Sequence, residues 1–491
     1  MAVTAPMDVV LVAALLVPPV SAALVALLAS RRPAAAAWYS AVAMPVSAAA
    51  AVAIAIRLAF GGAPVVVGQA WRLDALSALL ALLIGLVTTL ATWLGPGLNR
   101  QSVPSSETRP FRVYAGLFAF TMLVAVSTSN LGVMWVSIEA TTVTSALLIP
   151  LRRTQAAIEA SWKYLLIGSV GIALAFTGTV LAFVDYASTG RDPAVALQWM
   201  ALVAAAPSLH PEVAQLAFVF LLVGFGTKAG LAPMHTWLPD AHSEAPAPLS
   251  AMMSGVLLAV ALYAIARWKA VVDLAIGSAF TDTMLLVVGT VTVFVGSASL
   301  LSQTQYKRLL AFSSIEHMGL ACFALALGPL GVFAALLHVT GHALAKSVAF
   351  LLSGRIYDRY RSADIDHVPG LLGTSPPTGI LFLAAVLALA GLPPFSLFLS
   401  EILIVQAAWS AGHPLLTALV LLLILLAFAS LLTHVQHMLF GEAPADVARD
   451  EGGRLRLAVL AVPLAMLVWI GVALPEPLRM LLSRAAEVVG R

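Results

Sequence analysis

The segment GLAPMHTWLPD at residues 230–240 returns, altered, as GLPPFSLFLSE at 391–401. Gly, Leu, Pro, two apolar residues, a further Leu and a terminal acid stay in register. Each copy interrupts an apolar stretch with proline, which removes a backbone donor and breaks a helix. Two further pairs follow in the same order: SIE at 137–139 and 314–316, and AxxK at 160–163 and 343–346. A repeat of this kind predicts two copies of one helical unit, each with one proline-broken helix.

The surrounding composition sets the medium. Of 491 residues, 61% are hydrophobic and 10% charged, against about 25% charged in ordinary soluble domains. Too little charge is present to cover a soluble globule of this size, so soluble enzymes, nucleic-acid binders and secreted disulfide scaffolds are excluded. The single cysteine, Cys322, forms no internal disulfide, and the net charge of +3 says nothing about partners. Apolar runs of about 20 residues, the length that crosses a bilayer, recur along the chain. They predict an all-α integral membrane protein with about fourteen spans: 8–29, 34–60, 73–95, 112–128, 130–149, 162–186, 213–232, 248–267, 284–302, 308–327, 329–354, 376–409, 413–438 and 457–475. The first lacks the basic head of a cleaved signal peptide and is read as a retained helix.

The repeat then places one five-helix unit over spans four to eight and another over spans nine to thirteen. The corresponding segments are 1–110 with spans one to three, 111–270 and 271–440 with the two units, and 441–491 with span fourteen. An odd offset between the units inverts one relative to the other, the layout in which broken helices build polar sites at mid-depth. Basic residues in loops number 15 on one side and 8 on the other. By the positive-inside rule both termini are expected on the non-cytoplasmic side of the cytoplasmic membrane.

Charge inside the spans is the functional signal. The chain has 21 Arg and five Lys. Nearly every Arg is assigned to a loop or span end, including Arg267, with Lys269 beside it, in the loop after span eight. Lys163, Lys228 and Lys346 instead lie within apolar segments. Arginine holds its proton under all ordinary conditions, whereas lysine releases and rebinds one when desolvated. A charge at the centre of a span costs about 3 kcal/mol on insertion scales, which argues for function at Lys228 and Lys346. Lys163, near Arg152 and Arg153, is equally explained by snorkelling to the headgroups. Glu139, Glu316 and Glu401 are the intramembrane carboxylates, while Glu107, Glu244, Glu442 and Glu451 fall in loops. Asp74, at a span entrance, is read as interfacial. His338, His342 and Lys346 follow at steps of four and form one stripe over about 12 Å of a helix, suited to passing protons. HVTGH lacks the glutamate of a HExxH metal motif and a third ligand, so no metal is assigned. His434 and His437 are weaker candidates. No flavin, nicotinamide, nickel or iron–sulfur motif appears, and one cysteine cannot hold a four-Cys cluster, so no cofactor is expected in this chain.

KAGLAPMHTWLPDAHSEAPAPLSAMMSG at 228–255 resembles the hallmark of the antiporter-like subunits of respiratory complex I, of Mrp-type cation/proton antiporters and of membrane-bound hydrogenases. QTQYKRLLAFSSIEHMG at 303–319, HVTGHALAKSVAFLLSG at 338–354 and GLPPFSLFLSE at 391–401 resemble its other motifs in order. The resemblance covers roughly 110–440, and its SSIEHMG and FLSE wording is most like the F-type membrane component of hydrogenase-4 and formate hydrogenlyase-type complexes.

That resemblance implies a charge pair, Glu139 with Lys228, whose separation modulates the proton affinity of the lysine. It implies a central relay at Lys346 with His338 and His342, and an exit-side carboxylate at Glu401. Lys163, Glu316, His317 and Asp240 are secondary relay candidates. The implied partners are other membrane subunits and a peripheral redox arm, a hydrogenase or a quinone oxidoreductase. Two readings stand beside it: a cation/proton antiporter subunit without a redox partner, and a non-conducting scaffold. Two departures matter. Many relatives carry a Lys or His midway along span eight, but here Ala259 stands near that place. The step from Lys228 to Lys346 is left to water, Ser254, Tyr263 or Glu316. The long lateral helix of the largest complex I subunit is not expected either.

Overall fold

Proline and capping residues set where the helices begin. Asp74 accepts a hydrogen bond from the Ser77 amide, Asn130 from Gly132 and Val133, and Thr154 from Ala157. These bonds satisfy amides that a helix start otherwise leaves free. The computed structural model describes residues 6–28, 31–97, 105–444, 447 and 453–490. Arg100, Arg449 and Arg491, three of the basic residues in the loop totals, and Glu451 lie outside the described residues.

The N-terminal part holds α1 (Pro6–Leu15) and α2 (Pro18–Leu28), bent by 47° into one span, then α3 (Pro33–Ala59), a hairpin of β1 (Val65–Val67) and β2 (Trp71–Leu73), and α4 (Ala75–Thr92). The first unit comprises α5 (Ser105–Ser127), α6 (Leu131–Ala146), α7 (Gln155–Ser188), the short α8 (Trp199–Ala205), α9 (Pro211–Ala229), α10 (Trp237–Glu244), α11 (Ala247–Met252) and α12 (Leu258–Ile276). The second comprises α13 (Ala279–Leu300), α14 (Tyr306–Ala324), α15 (Gly328–Tyr360), α16 (Leu371–Thr374), α17 (Pro376–Leu389), α18 (Ser396–Ser410) and α19 (Pro414–Leu439). Two further helices, α20 (Arg454–Val472) and α21 (Glu476–Val489), follow.

Among the described residues, 11 helices are long and apolar enough to cross a membrane, or up to 13 with each bent pair taken as one span. The protein is a multi-pass membrane protein. Span ten falls on α14, whose 19 residues include Lys307, Arg308, Glu316 and His317 and are too polar to be among them. Span twelve is two helices, α17 and α18, parted at Ala390–Phe395. Span eight, expected to end at 267, runs on to Ile276 through a widened turn at Met253–Leu257 that joins α11 to α12.

That extension corrects two assignments. Arg267 and Lys269 are not in a loop but buried in α12, and Asp74 is buried rather than interfacial. Arg267 grips Asp74 with two bonds of 2.6 and 2.7 Å, and Lys269 reaches Asp273 and Asp282 at 2.5 and 2.8 Å. Such partners make a buried charge tolerable, and a sequence window cannot register those that come from elsewhere in the chain, Asp74 and Asp282.

The two units pack alike. α7 lies against α9 and α10, and α15 against α17 and α18; α5 packs on α6 as α13 packs on α14. Both broken helices turn at a left-handed glycine, Gly230 at φ 77° and Gly391 at φ 65°, a conformation that side chains with a Cβ rarely adopt. α12 and α15 are enclosed on all sides, whereas α7, α13 and α19 present Leu166, Phe294 and Leu422 outward, the surface a bilayer covers.

Candidate functional site

Lys228 occupies the last turn of α9, where the chain leaves the helix at Gly230, and is fully buried. Its ammonium donates to the Tyr164 hydroxyl at 2.9 Å and lies 4.5 Å from the centre of that ring. Ser145 spends its own proton on the Thr141 carbonyl at 2.6 Å, so Tyr164 donates to Ser145 at 2.8 Å and its oxygen remains free to accept from the lysine. Trp237, from the broken segment, packs on the Tyr164 ring at 4.7 Å and bonds the Thr227 carbonyl at 2.8 Å. Glu139, on α6, accepts from Thr142 at 3.1 Å and Ser169 at 3.0 Å. Among the described residues no carboxylate oxygen lies within 4 Å of the Lys228 ammonium. Tyr164 and Thr142 stand between the two charges.

Lys163 and Asp240 are placed elsewhere. Lys163 is half exposed and binds Glu159 at 2.8 Å and Asp240 at 3.3 Å, while Asp240 also takes Arg308 at 2.6 Å. They line a cleft with Ser243 and Gln305 at one end of the bundle. A second polar cleft opens beside it, bordered by Lys307, Asp358 and Arg361. Lys307 donates to the carbonyls of Ser243 and Ala245 at 2.7 and 2.6 Å and so closes the C-terminal end of α10.

The second unit brings the remaining candidates together. Lys346, fully buried on α15, donates to the Leu310 carbonyl at 2.6 Å. The same carbonyl accepts from Ser314 at 3.0 Å, and Ser314 meets Ser254 at 2.8 Å. Ser254 lies in the widened turn of span eight, so two hydroxyls and the shared Leu310 carbonyl tie that span to Lys346 where an ionisable side chain is missing. His242, on α10, is fully buried with both ring nitrogens unbonded, and it stacks on Phe350 at 4.8 Å, one turn beyond Lys346.

Beyond Lys346 lies a cluster of imidazoles and carboxylates. His317 Nδ1 is 3.0 Å from His338 Nε2, and His338 Nδ1 is 2.9 Å from the Ser400 hydroxyl. Ser400 donates to the Leu397 carbonyl at 2.8 Å, so it accepts from His338 Nδ1–H. His338 Nε2 is then a lone pair facing His317, whose own Nε2 has no partner. The His342 ring lies 5.3 Å from His317, Glu316 Oε2 is 3.5 Å from His317 Nδ1, and the Glu401 carboxylate fills the space a Cβ at Gly391 would occupy. Glu316, His317, His338, His342, Lys346 and Glu401 thus form one buried polar region at the centre of an apolar bundle. His317 and His338 set a donor against an acceptor there, the arrangement stepwise proton transfer requires, while both ring nitrogens of His342 are unbonded. His434 stands apart, bonded to the Ser430 carbonyl of its own helix at 2.7 Å.

Sequence reading passed over Tyr164, His242, Ser314 and Ser400. The signal for His242 was present in the DAHSEAP wording just after the broken motif. Tyr164 gave none, because a tyrosine one residue from a lysine on a long helix is commonplace until α9 is packed against it.

The transmembrane family described as NADH:quinone oxidoreductase/Mrp antiporter matches residues 128–427. A hydrogenase-4 component F homolog from Methylacidiphilum infernorum is 40% identical over 328 residues, 67% of this chain and 69% of that protein. The NAD(P)H-quinone oxidoreductase chain 4 of Picosynechococcus sp. is 31% identical over 82% of this chain and 75% of its own. A chain in the structure of a membrane-bound sulfane sulfur reductase, an archaeal respiratory membrane complex, superposes with a TM-score of 0.88 at 26% identity and covers 98% of both chains.

Proposed function

Because the chain belongs to the NADH:quinone oxidoreductase/Mrp antiporter family of membrane subunits, we propose that it translocates protons as a subunit of an energy-converting redox complex of the hydrogenase-4 or complex I kind. Other membrane subunits and a peripheral redox arm are its partners, and the cytoplasmic membrane, with both termini outside, is its location. The chain's own residues supply no redox chemistry in this reading; they move protons when the arm turns over.

The observation that carries the reading is the set of buried polar groups inside the apolar bundle, Lys228, His242, Lys346, the His317–His338 pair and Glu401. Protons enter from the clefts at Asp240 and Lys307 and load Lys228, which Tyr164 and, through Thr142, Glu139 hold in place. They pass by His242 to Lys346, which the Leu310 carbonyl, also bonded to Ser314, holds in place. From Lys346 they reach the His317–His338 pair and leave at Glu401. Glu139 acts on Lys228 from beyond direct contact, across Tyr164 and Thr142, and a change in that separation alters the attraction that favours the charged lysine.

The test is proton uptake by proteoliposomes holding the assembled complex. Lys228→Ala and Glu139→Gln should each uncouple redox turnover from uptake, and full uptake in both variants would refute the mechanism. Purification of the native complex distinguishes the readings of its company, since co-purifying redox subunits support this one and antiporter subunits alone overturn it.

A further inference from the structure

His317, His338 and Glu401 come from three helices, α14, α15 and α18, and offer ligand atoms that all lie within 4.8 Å of one another. We propose that they form an exchangeable site for a divalent transition-metal ion of the zinc class, and that the bound ion blocks proton passage through the second unit. The binding site stands on geometry alone; its blocking role rests on the relay reading.

The spacing suits the ion. Tetrahedral zinc with bonds of about 2.0–2.1 Å holds its ligand atoms about 3.3 Å apart. His317 Nδ1 and His338 Nε2 are already 3.0 Å apart, so only the Glu401 carboxylate has to draw in. Glu316 stands outside that set of three, but its Oε2 is 3.5 Å from His317 Nδ1 and it would supply a fourth ligand by turning in. Two imidazoles with carboxylates match zinc and reject sodium, magnesium and calcium, which prefer oxygen alone.

Orientation suits it as well. Zinc-bound imidazoles characteristically donate their second N–H to a protein group that fixes the tautomer. His338 does so through Ser400, which leaves Nε2 as a lone pair directed at the site. For His317 to ligate through Nδ1, its proton moves to Nε2, which is buried and unpartnered, and the ring stays neutral. Two ionised carboxylates and two neutral imidazoles offset the doubly charged cation, and the region sums to zero when Lys346 has given up its proton. The ion then occupies both nitrogen lone pairs through which a proton would pass.

The purified complex containing the full chain is titrated with Co2+ and then Zn2+. Tetrahedral Co2+ absorption, bleached by one equivalent of Zn2+ per chain, is the expected result. His317→Gln and Glu401→Gln should each weaken the affinity about 100-fold or more. His367→Gln, at an exposed histidine between α15 and α16, should leave it unchanged. An octahedral Co2+ spectrum, or wild-type affinity in both site variants, overturns the proposal. If the variants fail to assemble, zinc-edge X-ray absorption of the wild-type complex decides: a first shell with two histidine nitrogens supports the site and an all-oxygen shell overturns it. In proteoliposomes Zn2+ should suppress proton uptake and a chelator should restore it. Binding without suppression overturns the blocking role. Absence of the site, with Lys228→Ala still uncoupled, overturns this proposal and leaves the relay intact.

Discussion

Replacing Tyr164 with phenylalanine removes one oxygen and keeps the ring. The hydroxyl makes two hydrogen bonds, one accepted from Lys228 at 2.9 Å and one donated to Ser145 at 2.8 Å. Ser145 keeps its bond to the Thr141 carbonyl, so no neutral group is orphaned. Contact with Trp237 at 4.7 Å and the cation–π contact at 4.5 Å belong to the ring and persist. The bond to Ser145 is lost as well, but the loss that bears on the lysine is its own hydrogen bond, worth about 1.5–3 kcal/mol for a charged donor. At about 1.4 kcal/mol per factor of ten, proton transfer through Lys228 should slow about 10- to 100-fold while assembly is retained. The assay follows a pH-sensitive dye inside proteoliposomes containing the whole complex, with redox turnover measured in parallel. Wild-type uptake in Tyr164→Phe, alongside failure of Lys228→Ala, would show that the hydroxyl plays no part in the route.

Other substitutions probe the rest of the path. Lys228→Arg preserves charge but supplies a group that does not release its proton, so the complex should assemble and lose proton uptake; retained uptake would show that charge alone suffices. Gly391→Ala forces a Cβ into a left-handed residue at about 1–2 kcal/mol and onto the Glu401 carboxylate, and both thermal stability and uptake should fall. Arg267→Ala leaves Asp74 buried without its partner and should destabilise the protein by about 3–5 kcal/mol, read as a lower Tm, with partial recovery in the Asp74→Ala double variant. Lys163→Ala, at a half-exposed and solvent-screened pair, should leave Tm at the wild-type value in the same measurement.

Much of the fold was legible because the rules it follows are local. An apolar run of sufficient length must be a span, and a proline within it must break the helix, so the two broken helices could be read directly from the repeat. The scarcity of charge isolated Lys228, Lys346, Glu316 and Glu401 for the same reason, since an intramembrane charge cannot pass for filler. What stayed illegible depends on contacts between helices. Arg267 and Lys269 look like the end of a span unless Asp74 and Asp282 are known to face them. Tyr164, Ser314 and Ser400 are ordinary polar residues until packing sets each beside its partner. His317 and Glu401, 84 positions apart in sequence, meet only after α14 and α18 pack around α15.

The widened turn at Met253–Leu257 reaches further than its own five residues. A turn of this kind accommodates one residue more than a regular α-helix, and each residue advances a helix by about 100°. Everything from Leu258 onward is therefore rotated by about that angle relative to an unbroken span. Arg267, on the far half, meets Asp74 in that phase, while Ser254, in the turn itself, meets Ser314. The turn acts as a phase adjuster between the end of the helix that meets Ser314 and the end that meets Asp74. Deleting a single residue from it would keep the composition and hydrophobicity of the span, yet swing the guanidinium into apolar packing and leave the Asp74 carboxylate alone in the core.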